Sequence, residues 1–598
     1  MPPPSSHKSS IAVLPFKNIS NDPEMDFFSD GVTEEIILAL AKIEQLKVIS
    51  RTSSFFFKAH PAPIEEIGKK LDVNIILEGS IRLRGDMLRI SAQLIEVDQD
   101  SHLWSETWNR KLENLFDIQD EISLLIADKI REHSGHLSFS DRLVKQQTKD
   151  LNAYQHYLKG RFHFHKWNPE DNNIAIKEFE KAAAIDDQMI EAQIGLADAY
   201  SFMAVAGFAP RESAWGKAIA AMDAAKRLDE NNPGLNYMMA NQAFFTDADY
   251  DKARRLVLKS LEHAPTFEKS HRFLSFLYVL NSDYKQAKKH LFFAKSIDPL
   301  NPETSFYEAF FYHRTGEHAL AEDILDKLLT ANQMNLPGLV ISIYLKIKEK
   351  KWREALQQIE QAPKALFTPD ERLGMLCLVE VTKGNTDSPL LTELLQNAKD
   401  PAAHHAHSYA FILHSMLGQF EQAYAMLQNL FDHKSSILLL SFSNPLSQNI
   451  QSTPAYQTYH RKLYPPLTAP KAAKPNKAPK ADEASTRQDL AQLQQRMTVE
   501  QAFLNPALSL RSLANSLGIH PNQLSWLLNQ VLGKNFNEYV NQHRVAHFKK
   551  LVVDPANAHI SLIGLAYESG FKSKTVFHTA FKKETGMTPK EYQKSQQA

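Results

Sequence analysis

Between residues 150 and 464 the chain repeats every 34 residues, and no other feature constrains its fold as tightly. Ala253, Ala287, Ala321 and Ala355 fall one period apart, and Ala423 follows two periods later. Four residues beyond them stand Val257, Leu291, Leu325, Ile359 and Leu427; seven beyond stand Ser260, Ala294, Leu328, Ala362 and Leu430. Tyr250, Tyr284, Trp352 and Phe420 lie three residues before, and Gly316, Gly384 and Gly418 lie five before, at a turn. Apolar residues at i, i+4 and i+7 form one helix face, and a small residue on that face lets a second helix approach. Units of this length cannot bury their own apolar faces and must stack, so the period predicts about seven to nine helix hairpins in a solenoid. Ile174 to Ile185 and Trp215 to Leu228 have the same style across an insertion at Gly207 to Arg211, while Pro389 interrupts the alanine position.

With Pro265 and Pro299 closing their second helices, these units resemble the tetratricopeptide repeat. Stacked hairpins of that kind generate a groove, so the resemblance implies a protein or peptide partner, or self-association as a homodimer. The plain alternative is a spacer.

At 598 residues the chain exceeds a single core, and 43% hydrophobic with 23% charged residues excludes wholesale disorder. The lone cysteine, Cys377, excludes an intramolecular disulfide and a cysteine-based zinc site, which fits a reducing compartment. No signal-peptide pattern precedes Ile11, and Ser435 to Ser447 is broken by Ser441, Ser443 and Pro445, so a cytoplasmic location without membrane contact is expected.

Residues 11 to 131 alternate strand and helix patterns. Ile11 to Phe16 is a short apolar run; Phe28 to Ile43 has helical spacing, with Asp30 and Glu34 suited to a helix start. A helix over Ile64 to Leu71 follows Val48 and Ile49. Asn74 to Ser80, Ile81 to Arg84 and Met87 to Val97 then read as strands around an Arg84-Gly85-Asp86 turn, and Leu115 to Ile130 as a closing helix. The segments Ile11 to Phe16, Phe28 to Glu35, Leu77 to Arg82 and His102 to Glu106 resemble the TolB-like domain found beside tetratricopeptide repeats in bacterial regulators and some adenylate cyclases. The resemblance implies a non-catalytic input or assembly module. No cyclase domain accompanies it, so that activity does not carry over.

Pro465 to Thr486, rich in proline, alanine and lysine, reads as a solvated tether before a C-terminal unit at 490 to 598. There one pattern occurs twice, 52 to 53 residues apart. Leu510, Leu513, Ala514 and Leu517 precede Gly518, and Pro521 opens a second helix carrying Leu524, Leu527, Leu528 and Val531 before Gly533. Leu562, Leu565 and Ala566 precede Gly570, and Ser573 caps a helix whose Val576, Phe577, Ala580 and Phe581 face the core before Gly586. Tyr539 and Tyr592 lie six residues past each closing glycine. These are two helix-turn-helix units, able to enter adjacent major-groove segments about one helical turn apart.

The motifs Leu513-Ala514, Leu517-Gly518, Ser569-Gly570-Phe571, Phe581-Lys582-Lys583, Thr585-Gly586 and Thr588-Pro589-Lys590-Glu591-Tyr592 resemble the AraC-family DNA-binding domain over residues 498 to 595. That implies double-stranded DNA as partner, and RNA polymerase contact as in relatives of this type. The outward side of each second helix predicts base contacts from Asn522, Gln523, Ser525, Trp526 and Asn529, then from Lys574, Thr575, His578 and Thr579. Residues 501 to 598 carry a net charge of +6, with Arg511 and Arg544 counted in it, and Lys572, Lys582 and Lys583 are the expected phosphate contacts. Trp526 and Thr579 stand where the family often has arginine, so base preferences do not carry over.

His404, His405 and His407 cannot all share one helix face, Asp26, Asp30, Glu34 and Glu35 read as a helix start, and Cys377 reads as core. No phosphate-binding glycine loop or nucleophile elbow occurs, and no cofactor or enzymatic activity is expected. The expected fold is multidomain and mostly α: an α/β domain (11 to 131), an α-solenoid (150 to 464), a linker (465 to 486) and an all-α double helix-turn-helix. The expected function is AraC-type transcription regulation; the alternative is an interaction scaffold whose C-terminal unit binds protein, or DNA without sequence preference.

Overall fold

The computed structural model describes residues 9–466 and 483–597, apart from 21, 23–24, 99–100, 113–114, 145, 167, 206–208 and 364–365. The expected tether at 465 to 486 lies mostly outside the described residues. Its last part does not fit that expectation, because a helix already begins at Glu483.

Strands β1 (Ser9–Val13), β2 (Lys17–Asn18), β3 (Leu46–Val48), β4 (Ile75–Arg84), β5 (Met87–Glu96) and β6 (Ser101–Lys111) make one mixed sheet. Its order is β3-β1-β4-β5-β6, with β2 pairing β4 at Lys17 opposite Ser80. β1 runs parallel to both neighbours, and β4, β5 and β6 form an antiparallel meander in which Arg84 faces Met87 across Gly85 and Asp86. Helices α1 (Asp26–Leu40), α2 (Arg51–Ala59), α3 (Ile64–Leu71) and α4 (Leu115–Ser134) complete the layer structure. Period-two alternation divides the two faces: Ile11, Val13, Ile75 and Leu77 join the core with α1 and α4, while Ala12, Leu14 and Ile76 join Phe57, Ile67 and Leu71 of α2 and α3.

Three expectations here need correction. β4 is continuous through Ser80 and Ile81, and neither α2 nor β6 was anticipated. The acidic cluster of α1 is not a helix start. Only Asp26 lies in the first turn, whereas Asp30, Glu34 and Glu35 are buried, Asp30 ion-paired with Lys58 at 2.6 Å, Glu34 with Arg51 at 3.2 Å, and Glu35 hydrogen-bonded by Gln147 at 2.8 Å.

From Leu151–Phe164 paired with Pro169–Ile185, to His404–Met416 paired with Phe420–His433, the described residues contain eight helix hairpins. The period is written into the backbone. Ala248, Ser282, Gly316, Lys350, Gly384 and Gly418 all take positive φ, at the inner turn of the third to the eighth hairpin. From Ser282 onward the following amide closes the same capping bond five residues back, as in Asp283 N–H to Tyr278 O (2.9 Å), Lys351 N–H to Lys346 O (2.8 Å) and Gln419 N–H to His414 O (2.9 Å), whereas Asp249 N–H reaches Ala243 O at 2.8 Å. Asp249 and Asp283 then cap the next helix. The alanines at 253, 287, 321, 355 and 423 are fully buried, as their spacing requires.

Part of the solenoid surface is met by the chain itself. The segment after His433 folds back onto the middle hairpins: Arg254 donates to Pro465 O at 2.7 Å, Arg314 to Ser443 O and Leu440 O, and Tyr250 meets Tyr464 at 4.9 Å between ring centroids. The α/β layer docks on the same array. Ser53 Oγ donates to buried Asp298 (2.7 Å), Ser50 N–H to Ile297 O (2.9 Å) and Thr266 Oγ1 to Ala41 O (2.9 Å). His407, which the sequence grouped with His404 and His405, is instead a buried side chain bonded to Ala398 O at 2.9 Å.

Candidate nucleic-acid interface

The lead-in helix Glu483–Thr498 contributes Leu493 and Met497 to the core of the first unit. Ser509 and Ser512 form a capping box that starts the helix Leu510–Ser516, and Gly518 turns the chain at φ 67°. The first recognition helix runs over Pro521–Trp526 and continues as a π-turn over Leu527–Val531. The connecting helix Phe536–Val553 leads to Leu562–Glu568, a turn at Gly570 (φ 88°) and the second recognition helix Lys574–Thr585, capped by Ser573. Both units have the expected order of parts.

The two recognition helices differ in what they leave open. In the second, Lys574, Thr575 and Thr579 are exposed and His578 is half-buried, while Phe577 and Phe581 pack on Phe548 with centroids 4.7 and 5.3 Å away. Val576, expected in the core, is 47% exposed beside them, and Val531 is 42% exposed. Both belong at the rim of their helices. Val576 sits roughly 100° around the helix from Phe577, off the core stripe, and that offset is the signal that would have found it.

In the first recognition helix only Gln523 among the predicted base readers is exposed, and its amide donates to Asp489 of the lead-in helix at 2.6 Å. Ser525 is fully buried, and Asn522, Trp526 and Asn529 are half-buried. Trp526 packs on the unit's own core, whereas Asn522 and Ser525 are covered by the N-terminal layer. Arg131 donates to Asn522 Oδ1 at 2.7 Å, Asn522 Nδ2 donates to Phe139 O at 3.0 Å, and His136 Nδ1 lies 3.1 Å from Ser525 Oγ. Around them, Leu510 N–H donates to Glu132 Oε1 (2.9 Å), Arg511 Nε to Asp128 Oδ2 (2.9 Å) and Asn535 Nδ2 to His133 O (3.0 Å).

The basic charge is unequally available. Lys572 and Lys582 are exposed, and Lys583 is exposed but reaches Glu538 at 2.7 Å. Arg544, counted with the phosphate-facing charges from sequence, is buried between the two units. Its Nε donates to Phe503 O (2.8 Å) and its Nη2 to Asn505 O (2.9 Å), and burial pushes the guanidinium pKa down to about 10. Arg511 is likewise committed to Asp128 and Asp141.

Residues 513–595 match the family model described as a helix-turn-helix domain, and residues 6–125 match the second domain of HilA/YgeH-like transcriptional regulators. A protein named putative adenylate cyclase 3 from Rhizobium meliloti (strain 1021) is 36% identical over 33% of this chain and 33% of its own length. The melibiose operon regulatory protein of Escherichia coli (strain K12) is 26% identical over 15% of this chain and 29% of its own length. The uncharacterized transcriptional regulatory protein YesN of Bacillus subtilis (strain 168) is 35% identical over 15% and 25%. The chain therefore spans a third or less of the length of these relatives. Among solved structures, a tetratricopeptide repeat protein from Parabacteroides merdae aligns at 13% identity and a TM-score of 0.28, covering 49% of this chain and 99% of its own.

Proposed function

We propose that this chain is a DNA-binding transcription regulator of AraC type, in which residues 11 to 131 and 150 to 464 take the input and the C-terminal double unit reads a promoter. One observation carries this most directly. The second recognition helix is held from behind by Phe577 and Phe581 and presents Lys574, Thr575, Val576 and Thr579 outward, between exposed Lys572 and Lys582. Polar and methyl-bearing side chains on a rigid helix suit base edges in the major groove, and flanking lysines suit phosphates. The matches to regulator domains at both ends support the same reading.

The test is selection of duplexes from a random library by the full chain, followed by footprinting over a range of salt. A defined sequence should emerge, protected at low salt and lost steeply as salt rises. Lys574→Ala or His578→Ala should cost about 1–3 kcal/mol at the base each contacts and flatten preference there. Enrichment of no sequence would sink the proposal and favour the second reading, an interaction scaffold that meets DNA without preference. The protein contacts already made by Asn522 and Ser525 are the observation on that side.

A further inference from the structure

We propose that residues 128 to 141 form an internal strap over the DNA-reading face of the first helix-turn-helix unit, so that DNA and the N-terminal layer compete for that face. This rests on the DNA-binding reading above and adds a constraint to it: in the strapped arrangement only the second unit is free to read.

The chemistry of the contact is that of a nucleic-acid stand-in. Backbone amides and arginines are the donors that proteins offer to phosphate oxygens. Here carboxylates take those positions, Glu132 on the Leu510 amide and Asp128 on Arg511, with Asp141 3.4 Å from Arg511 and 3.5 Å from His520. Asp128 and Glu132 are one helical turn apart, so the end of α4 presents both along one face. Behind this charged rim, the strap satisfies the groups that would meet base edges. Asn522 uses both ends of its amide, accepting from Arg131 and donating to Phe139 O, which leaves no free pair for a bidentate contact to adenine. Arg131 is fully buried, stacked 4.4 Å over Phe139, and Ser525 is sealed under His136. DNA cannot reach Asn522 or Ser525 without displacing these groups, and each displaced carboxylate has a phosphate as its replacement.

The experiment compares the full chain with the full-length Asp128→Asn/Glu132→Gln variant, each selecting duplexes from the same random-sequence library and then footprinted on them. The unmodified chain should protect one major-groove segment. The variant should protect two, about one helical turn apart, and bind about tenfold tighter, because the freed first recognition helix adds base contacts. Asp141→Asn, at a side chain 68% exposed, leaves the buried contacts in place and should shift affinity in the same direction by less. Hydrogen exchange at the Leu510 amide should rise in the double variant without DNA. Protection of two segments by the unmodified chain, or identical affinity and footprint for all three chains, would overturn the strap while leaving the DNA-binding reading standing. Failure of every chain to enrich a sequence would remove both.

Discussion

Gly518 and Gly570 hold the same place in the two units, with positive φ at both, yet their surroundings differ. A Cβ on Gly518 would meet nothing within 4 Å, whereas one on Gly570 would lie 2.3 Å from Phe503 O and 2.9 Å from Leu504 Cα. Gly518→Ala should therefore cost only the left-handed penalty, about 1 kcal/mol. Gly570→Ala must also move backbone and should cost about 3 kcal/mol or more. Urea unfolding of the full chain, followed by fluorescence from an indole in the C-terminal unit (Trp526), would separate the two; equal losses would refute the contrast. Phe503 O is also the acceptor for Arg544, so one short turn joins the two units from both sides. The duplicated glycines are visible in sequence, but this asymmetry is not, because the clash is with a turn far earlier in the chain. The same distance in sequence hides the burial of Arg544, which reads as one more basic residue until its acceptors are placed.

At the level of elements, the 34-residue register is legible because packing enforces it: every alanine in the series is buried against a neighbouring helix. The turn is legible only where glycine occupies it. Ala248, Ser282 and Lys350 bear the same left-handed conformation with a side chain, and nothing in residue type marks them. Ser282→Gly and Lys350→Gly, both at exposed positions, should each stabilise the array by about 0.5–1 kcal/mol, since relief of the left-handed penalty exceeds the added freedom of the unfolded chain. A rise in the thermal midpoint for both substitutions is the expected outcome, and a fall at either would show that its side chain packs after all. Helix α2 and strand β6 escaped prediction for opposite reasons. The Phe55-Phe56-Phe57 run in α2 lacks a helical stripe, while β6 buries little beyond Trp108 and so lacks the alternation by which a strand is recognised.

Across the whole molecule, the three globular regions are legible from composition and period, but their docking is not, because it depends on polar pairs hundreds of residues apart. The junction of α1 with the first repeat helix shows how tight that docking is. A Cβ on Gly31 would come within 2.6 Å of Leu158, Arg161 and Arg51 close on Glu34, and Gln147 donates to Glu35 at 2.8 Å. These arginines hold the Glu34 carboxyl well below its usual range against burial. Among the described residues Glu35 forms no ion pair. Burial, and then the adjacent Glu34 charge, push its pKa up to about 7. The unfolded chain releases that proton near pH 4.3, so between there and pH 7 the folded chain binds the extra proton and loses stability as pH rises. Glu35→Gln keeps a partner for Gln147 and removes the charge. The variant's stability relative to the unmodified chain should climb through this window and level off above about pH 7, by a total on the order of 3 kcal/mol. His165 is common to both chains and cancels in that difference, and Glu34, held ionised throughout the window, adds nothing to its slope. Thermal unfolding of the two chains from about pH 5 to about pH 8 checks it: parallel curves would mean that Glu35 reaches solvent and that the α/β layer is not sealed onto the repeats, whereas divergence would tie the layer that carries the strap to the array through a carboxylate buried without a counter-charge of its own.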